Sequence, residues 1–161
     1  MDLYPWIVIA HVFFVIVAFF AHGASAFAIF RVRAATDRTE LRTLLDLSQT
    51  SLLVAGVTLL LAVLLGIWAA IIGGHFSRAW PWVSIGVLVV VVIAMTPLAA
   101  NPMRELRAAL GIGNDKSGAP LVAGSDDQIR AAQAKMQPEL TMAVGIIGIA
   151  LLVWLMEGKP F

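Results

Sequence analysis

Residues 47–74 read LSQTSLLVAGVTLLLAVLLGIWAAIIGG, and this stretch decides the fold. It contains no Asp, Glu, Lys or Arg. An α-helix rises ~1.5 Å per residue and the hydrocarbon core of a bilayer is ~30 Å thick, so about 20 apolar residues suffice to cross it. The stretch is long enough to do so, and it predicts a transmembrane helix.

Three further stretches have the same character, at residues 4–30, 81–100 and 140–156. The last is the shortest, so it needs either a locally thinned bilayer or Glu139 and Glu157 in the headgroup region. We therefore predict an all-α membrane protein in which residues 1–161 form one domain, an antiparallel bundle of four transmembrane helices.

The composition argues against a soluble protein. Hydrophobic residues make up 60% of the chain and charged residues only 13%, which is outside the usual range of soluble domains. Because the chain has no cysteine, it has no disulfide framework, thiolate metal site or cysteine nucleophile. The formal net charge of +1 gives no general basic field, so the expected partner is the lipid bilayer and not nucleic acid.

The basic residues predict which way the helices run. Of the 11 Lys and Arg residues, all but Arg78 and Lys159 lie in the first connection or in the long third one. Connections rich in Lys and Arg stay in the cytoplasm, so both termini are predicted to face outward. The predicted location is the cytoplasmic (inner) membrane of a bacterium. Aromatic anchors agree, because five of them fall near the outer boundary: Tyr4, Trp6, Trp80, Trp82 and Trp154.

Residues 101–139, between the third and fourth spans, are predicted to be a cytoplasmic loop with two short helices. Asn101 followed by Pro102 suggests the cap and first turn of an amphipathic helix lying on the membrane surface. Ser125 and Gln128 match a capping box and predict a polar, solvated helix. Between these two helices a glycine-rich segment predicts a flexible linker, without a phosphate-binding pattern.

Other polar residues fall near the predicted inner ends of the helices. Pro97 predicts a kink in the third span, with the Thr96 hydroxyl available to a freed backbone carbonyl. Four more polar side chains are expected to cap helix ends or to pair with Arg42 and Arg104: Asp46, Gln49, Asn101 and Glu139.

Small residues predict where the helices approach one another. In a bilayer, helices associate where small side chains let backbones come close. Gly145 and Gly148 form such a notch in the fourth span. In the second span a stripe of small residues recurs every four positions, and it predicts either close packing inside the bundle or contact with a second copy or another membrane protein: Ala62, Gly66, Ala70 and Gly74.

Two histidines in the first span, His11 and His22, are the strongest candidates for chemistry. Ionisable residues inside a span are costly and normally turn inward. The two are eleven residues apart, which places them on one stripe, ~16 Å apart along the axis. Depth counting puts His22 level with Met95 and Met142. Imidazole with thioethers suits Cu(I), and a His with a Met can also hold haem iron.

These residues therefore form the candidate site. The candidate cofactor ligands, for haem b or copper, are His22, His11, Met95 and Met142, and the candidate metal ligands are His22, Met95 and Met142. The alternative is structural. In that interpretation His22 hydrogen-bonds Ser51, Thr58 or a backbone carbonyl, and His11 bonds Ser84 or a headgroup. A proton relay along the two histidines is a further alternative, although no acidic residue lies mid-membrane to complete it.

The order of features carries a resemblance. The first helix contains His11-Val-Phe, a basic connection follows, the second helix has spaced glycines ending in Gly-Ile-Trp, and the third helix is led by Trp. Over residues 5–110 this resembles a bacterial family of small predicted integral membrane proteins of unknown function. That family is distantly similar to the membrane part of copper-resistance D proteins. The resemblance implies the fold, and it implies His11 and His22 as the positions concerned if copper handling carries over.

The function predicted from the sequence is that of a multi-pass accessory or scaffold subunit. The first alternative is a haem- or copper-binding protein of electron transfer or metal handling. The second is a small transporter or channel formed by oligomers. An enzyme is not expected, because no nucleophile, base and orienting acid are arranged for catalysis.

Overall fold

A computed structural model describes residues 3–160, and that part of the chain is helical without β-strands. A short 3₁₀ turn, His75–Ser77, lies between the second and third helices. A π-helical turn, Thr96–Ala100, follows the third. The helices are α1 Tyr4–Ala34, α2 Arg38–Ile72, α3 Trp80–Met95, α4 Asn101–Ala109, α5 Asp126–Ala134 and α6 Pro138–Gly158.

The structure confirms four helices that are long and apolar enough to span a membrane: α1, α2, α3 continued by α4, and α6 preceded by α5. Both α1 and α2 extend past the apolar stretches into the charged connection between them. Arg and Glu are good helix formers, and Asp37 caps α2 by accepting a hydrogen bond from the Glu40 N–H at 2.8 Å. Apolar stretches therefore predict the number of long helices better than their ends.

The helices pack as two pairs. α1 runs along α2, α3 packs on α6, and α1 also contacts α6, whereas α2 and α3 share no extensive contact along their length. Small and hydroxylated residues lie between α1 and α2, where the Ser25 and Ser48 hydroxyl oxygens are 2.7 Å apart and buried. Ala62 and Ala70 of the predicted small-residue stripe are also buried.

Outward faces of the spans carry large apolar side chains. Phe20 and Leu53 are 78% and 68% exposed, and similar residues line every span. In water such surfaces would aggregate, but lipid tails are as apolar as these side chains. The exposed faces therefore agree with a bilayer as the solvent of the four long helices.

The third helix continues through Pro97, where the sequence predicted a kink, and runs into α4 at Asn101, where it predicted a fresh helix start. Pro97 has no backbone N–H to donate, and a π-helical turn replaces the regular α-helical hydrogen bonding there. The Thr96 hydroxyl donates to a backbone carbonyl, that of Val92, at 3.4 Å, as predicted. Asn101 is the first residue of α4 and its side chain makes no capping bond, so its prediction as a cap was wrong. The chain stays helical because the wider turn accommodates the proline ring.

One end of the bundle is closed by a compact unit, here called the cap, which comprises α4, α5, the turn between α1 and α2, and the segment 111–124. Its apolar core also takes in side chains from the adjoining ends of α1 and α2, and Leu41 and Leu45 of α2 and Leu106 of α4 are at most 1% exposed. α5 was predicted to be solvated, but Ile129 and Gln133 are buried. Its capping box of Ser125 with Gln128 is present as predicted.

The glycine-rich segment of the cap is a bonded hairpin, and the prediction of a flexible linker was wrong. The Leu121 N–H donates to Gly113, and the Gly124 N–H donates to the Ala109 carbonyl at 2.8 Å. Gly111 adopts a φ of 71°, and a Cβ there would lie 2.8 Å from the Ala123 nitrogen. Glycine is used here for a turn after α4 and for a close backbone approach, and not for flexibility.

Candidate functional site at the junction of α1, α3 and α6

His22 and Met95 meet at Gly145, where α1, α3 and α6 come together. A Cβ built on Gly145 would lie 3.9 Å from His22 Nε2 and 3.4 Å from the terminal methyl carbon of Met95. Gly145 is buried, and His22 is half-buried. The structure thus brings together two of the residues that depth counting placed at one level.

His22 has no hydrogen-bond partner within residues 3–160. The alternative structural interpretation expected it to bond Ser51, Thr58 or a backbone carbonyl. Thr58 instead donates to the carbonyl of Val54 in its own helix, at 2.7 Å. An imidazole away from water loses free energy unless a partner replaces the lost hydrogen bonds. His22 Nε2 therefore keeps its capacity to bind a ligand at the Gly145 gap.

Met142 and His11 lie outside this junction group. Met142 lies about one helical turn before Gly145 on α6, and Met142 is 46% exposed. His11 Nδ1 donates to the Ala62 carbonyl oxygen at 2.7 Å, where its ring lies over Gly66. The predicted partner Ser84 instead donates to the Trp80 carbonyl, so the expectation of a bond between His11 and Ser84 was wrong. Close packing of α1 on α2 brings the His11 ring to the Ala62 carbonyl, and no sequence motif identifies a backbone carbonyl as a partner.

The π-helical turn lies next to the site. It begins one residue after Met95, and the Thr141 hydroxyl on α6 lies 2.8 Å from the Gln137 carbonyl and 3.4 Å from the Leu98 carbonyl. Turns of this type widen a helix and leave backbone groups to be satisfied by neighbours. The signal for it was the pair Thr96 and Pro97, from which a kink was predicted.

Gly148 lies one turn beyond Gly145 and is the tight point of the contact between α3 and α6. A Cβ built on Gly148 would lie 2.6 Å from Val91 Cγ2, closer than real side chains approach. The two glycines of the predicted notch therefore have different roles. Gly148 lets α3 approach α6, whereas Gly145 leaves a gap beside His22 and Met95.

Ion pairs at the cap end of the bundle join α4 to α2 and α6 to α1. Asp46 pairs with Arg107 at 3.2 Å, and Glu139 pairs with Arg33 at 2.8 Å, so pairing was predicted correctly for both acids but with other partners. Arg42 donates instead to the Leu110 carbonyl at 2.7 Å.

Two cap carboxyl groups have lowered pKa values. The Arg38 guanidinium, which donates to Asp126 at 2.5 Å, holds the pKa of that carboxyl below its ordinary range through the hydrogen bond and its charge. Hydrogen bonds from the Ser117 hydroxyl and the Ala119 N–H likewise lower the pKa of Asp115 in the hairpin.

Gln133 holds the cap on α1, and sequence reasoning missed it. Its side-chain amide donates to the carbonyls of Val32 and Ala35 at 2.8 and 2.9 Å, and the residue is buried. These two carbonyls lie at the C-terminal end of α1, where backbone acceptors lack helical partners. A signal was present in the spacing, because Gln133 lies four residues after Ile129 and three before Met136, as expected for one helix face, and all three are buried.

The end opposite the cap is joined by an aromatic cluster. The Tyr4 hydroxyl lies 3.1 Å from His75 Nε2, and the His75 ring centroid lies 5.7 Å from that of Trp80. The Trp80 indole N–H is buried and has no acceptor among residues 3–160. This cluster joins the start of α1 to the connection between α2 and α3.

Compared with protein-family models, with curated proteins and with solved structures, the chain has no match. The resemblance to small predicted integral membrane proteins stays a prediction.

Proposed function

We propose that the chain is an accessory or scaffold subunit of a bacterial cytoplasmic membrane, without enzymatic activity of its own. One observation carries the proposal: the cap is a compact, ion-paired body seated on apolar spans. Its core residues are buried, Gln133 ties α5 to the Val32 carbonyl of α1, and Arg42 of α2 donates to the carbonyl of the residue after α4. A rigid body of this kind offers a partner complex a fixed surface on one side of the membrane.

The proposed orientation places the cap in the cytoplasm and both termini outside. The bias of Lys and Arg toward the cap supports it, since basic connections resist translocation. The chain lacks cysteine, so single cysteines at Ser77 and Ser117 give a clean test with a membrane-impermeant maleimide. Labelling of Ser77→Cys in intact cells, and of Ser117→Cys only after permeabilisation, is expected. The reverse pattern overturns the orientation.

Co-purification of partner proteins, and the amount of their assembly when this chain is deleted, test the scaffold proposal. The tagged chain, solubilised in mild detergent, is expected to migrate with other membrane proteins in fixed stoichiometry, and its deletion is expected to lower the amount of that assembly. A variant that loosens the cap, Gln133→Leu, should weaken the association, while Gln137→Leu, at an exposed position, should not. Recovery only as a free monomer, together with unchanged levels of membrane assemblies in the deletion strain, overturns it.

A second candidate function is haem or copper binding, and one observation favours it. His22, without a hydrogen-bond partner within the described chain, faces the same gap as Met95. Absorbance and metal content of the purified protein test it. A Soret band or one metal per chain, lost in His22→Ala, is the expected signature, and its absence after reconstitution with both cofactors contradicts it.

Transport by oligomers is the less favoured alternative. The apolar core of the cap lies across the end of the bundle, where a polar path through one chain would have to emerge. Ala62 is 1% exposed and His11 covers Gly66, so two members of the small-residue stripe already pack against α1. These contacts support internal packing as the use of that stripe. Liposome flux that requires an oligomer would favour transport instead.

A further inference from the structure

We infer that His22 and Met95 hold one soft monovalent metal ion, with Cu(I) as the biological candidate, in the gap over Gly145. The inference rests on the second candidate function and narrows it, because it assigns the site to a bare ion and excludes haem. It is independent of the scaffold proposal, which depends on the cap.

The size of the gap separates the two cofactors. At Gly145 an added methyl group would be in ordinary van der Waals contact with Met95 and within 4 Å of His22 Nε2. The two side chains therefore stand close enough over Gly145 for one small guest to touch both. A haem macrocycle would have to part α1 from α6, whereas one ion needs only small side-chain movements.

The donor atoms select the ion. His22 offers a neutral imidazole nitrogen and Met95 a thioether sulfur, and soft ligands of this kind favour Cu(I) over hard divalent cations. Neither donor carries a negative charge, and the apolar stretches of α1 and α3 contain no carboxylate. Since the desolvation cost of an ion rises with its charge, a monovalent ion is the class that such a site can hold within the bilayer.

The surroundings allow both donors to reach one ion. His22 Nε2 makes no bond within the described residues that an ion would have to break. Methionine is unbranched and flexible, and the π-helical turn directly after Met95 relaxes the regular ladder there. The Met95 atom beside Gly145 is its terminal methyl carbon, so the inference requires a rotation about the Met95 side-chain bonds that brings the adjacent sulfur to the gap.

Gly145→Ala is the sharpest test, because it fills the gap while keeping both ligands. The alanine methyl group would contact Met95 at 3.4 Å, which a flexible side chain tolerates. Gly86→Ala is the matched control: it is also a helical glycine of a span, and a Cβ there meets nothing within 4 Å. His22→Gln and Met95→Leu remove the donors one at a time. Size-exclusion chromatography and circular dichroism confirm that each variant is folded.

Ag(I), a redox-inert soft monovalent ion, is the probe for the purified full chain in detergent. Competition titration and native mass spectrometry are expected to show one Ag(I) per wild-type chain. Affinity should fall by about tenfold or more in Gly145→Ala, His22→Gln and Met95→Leu, and should be unchanged in Gly86→Ala.

Three results would overturn the inference. They are wild-type protein that takes up no stoichiometric Ag(I), a folded Gly145→Ala variant that binds like wild type, and His22→Gln binding that is unchanged. A Soret band on addition of haem, lost in His22→Gln, would keep the second candidate function while overturning the assignment to a bare ion. Failure of all metal and haem binding would overturn both and leave the scaffold test unaffected.

Discussion

His11 Nδ1 lies 2.7 Å from the Ala62 carbonyl oxygen, and this bond joins α1 to α2 within the membrane. It forces Nδ1 to carry the proton, because a carbonyl can only accept. The ring can reach that carbonyl since Gly66, one turn further along α2, has no side chain. A Cβ at Gly66 would lie 2.9 Å from His11 Cε1.

Gly66→Ala should therefore destabilise the α1–α2 pair. The added methyl group displaces the His11 ring and breaks its bond, at a cost of about 1–2 kcal/mol. The free energy of unfolding in mixed detergent micelles measures it. Gly56→Ala is the control, because a Cβ there meets nothing and alanine favours a helix by roughly 0.5–1 kcal/mol. Equal effects of the two substitutions would contradict the close approach of His11.

Gly148→Ala should separate α3 from α6. Its methyl group would overlap Val91 Cγ2, and overpacking of this kind costs about 1–3 kcal/mol. Combining it with Val91→Ala should restore part of the loss, since the second change removes the clashing atoms. Cysteine cross-linking between the two helices, together with thermal melting, reports the outcome. A double variant no better than Gly148→Ala alone would refute the contact.

Gln133→Leu should loosen the cap. It removes two hydrogen bonds to the Val32 and Ala35 carbonyls and leaves acceptors unsatisfied in a buried place, at a cost of about 1–3 kcal/mol. Amide hydrogen exchange in α5 should speed up, while exchange in α1 away from its end should not. The exposed Gln137→Leu substitution is expected to change neither. Equal exchange rates in wild type and Gln133→Leu would show that these two hydrogen bonds do not hold the cap.

Acid should weaken the attachment of α5 through Asp126. Because Arg38 lowers its folded-state pKa, this carboxyl contributes stability at pH above its ordinary pKa of 3.8, and the contribution is lost as pH falls through the lower folded value. The pair is exposed, so high salt should reduce the effect. Hydrogen exchange of α5 between neutral and acidic pH measures it.

Asp126→Asn should remove that acid dependence, and Asp115→Asn should leave it in place. Asp115 also has a lowered pKa, but its partners Ser117 and Ala119 belong to the same hairpin and do not hold α5. Identical pH profiles for the two variants would rule out the Arg38 pair as the cause.

Sequence alone predicted what depends on composition and local chemistry. The lengths of the apolar stretches predicted four long helices, and the Ser125 capping box was confirmed because both of its partners lie within one turn. Helix periodicity and depth counting also placed His22 level with Met95. These features depend on spacing along one helix or on matching depths, which can be read from the sequence.

Features that depend on tertiary backbone contacts were not predictable. The partner of His11 is a carbonyl, which every residue possesses, so no sequence signal singles out Ala62. The glycine-rich hairpin is ordered by a bond from Gly124 to Ala109 that exists only after the chain has folded back. Gln133 was predicted to be solvated because the carbonyls that it binds, those of Val32 and Ala35, lie 101 and 98 residues away in the sequence.

The pairwise packing of the helices also implies an order of assembly. α1 and α2 are sequence neighbours with the most intimate contact, so they can associate in the membrane while the ribosome is still making the rest. The gap beside His22 cannot exist at that stage, since one of its walls is Gly145 in α6, which is synthesised after α1 to α5. Any guest at that place is therefore acquired only once α6 has been made and has packed.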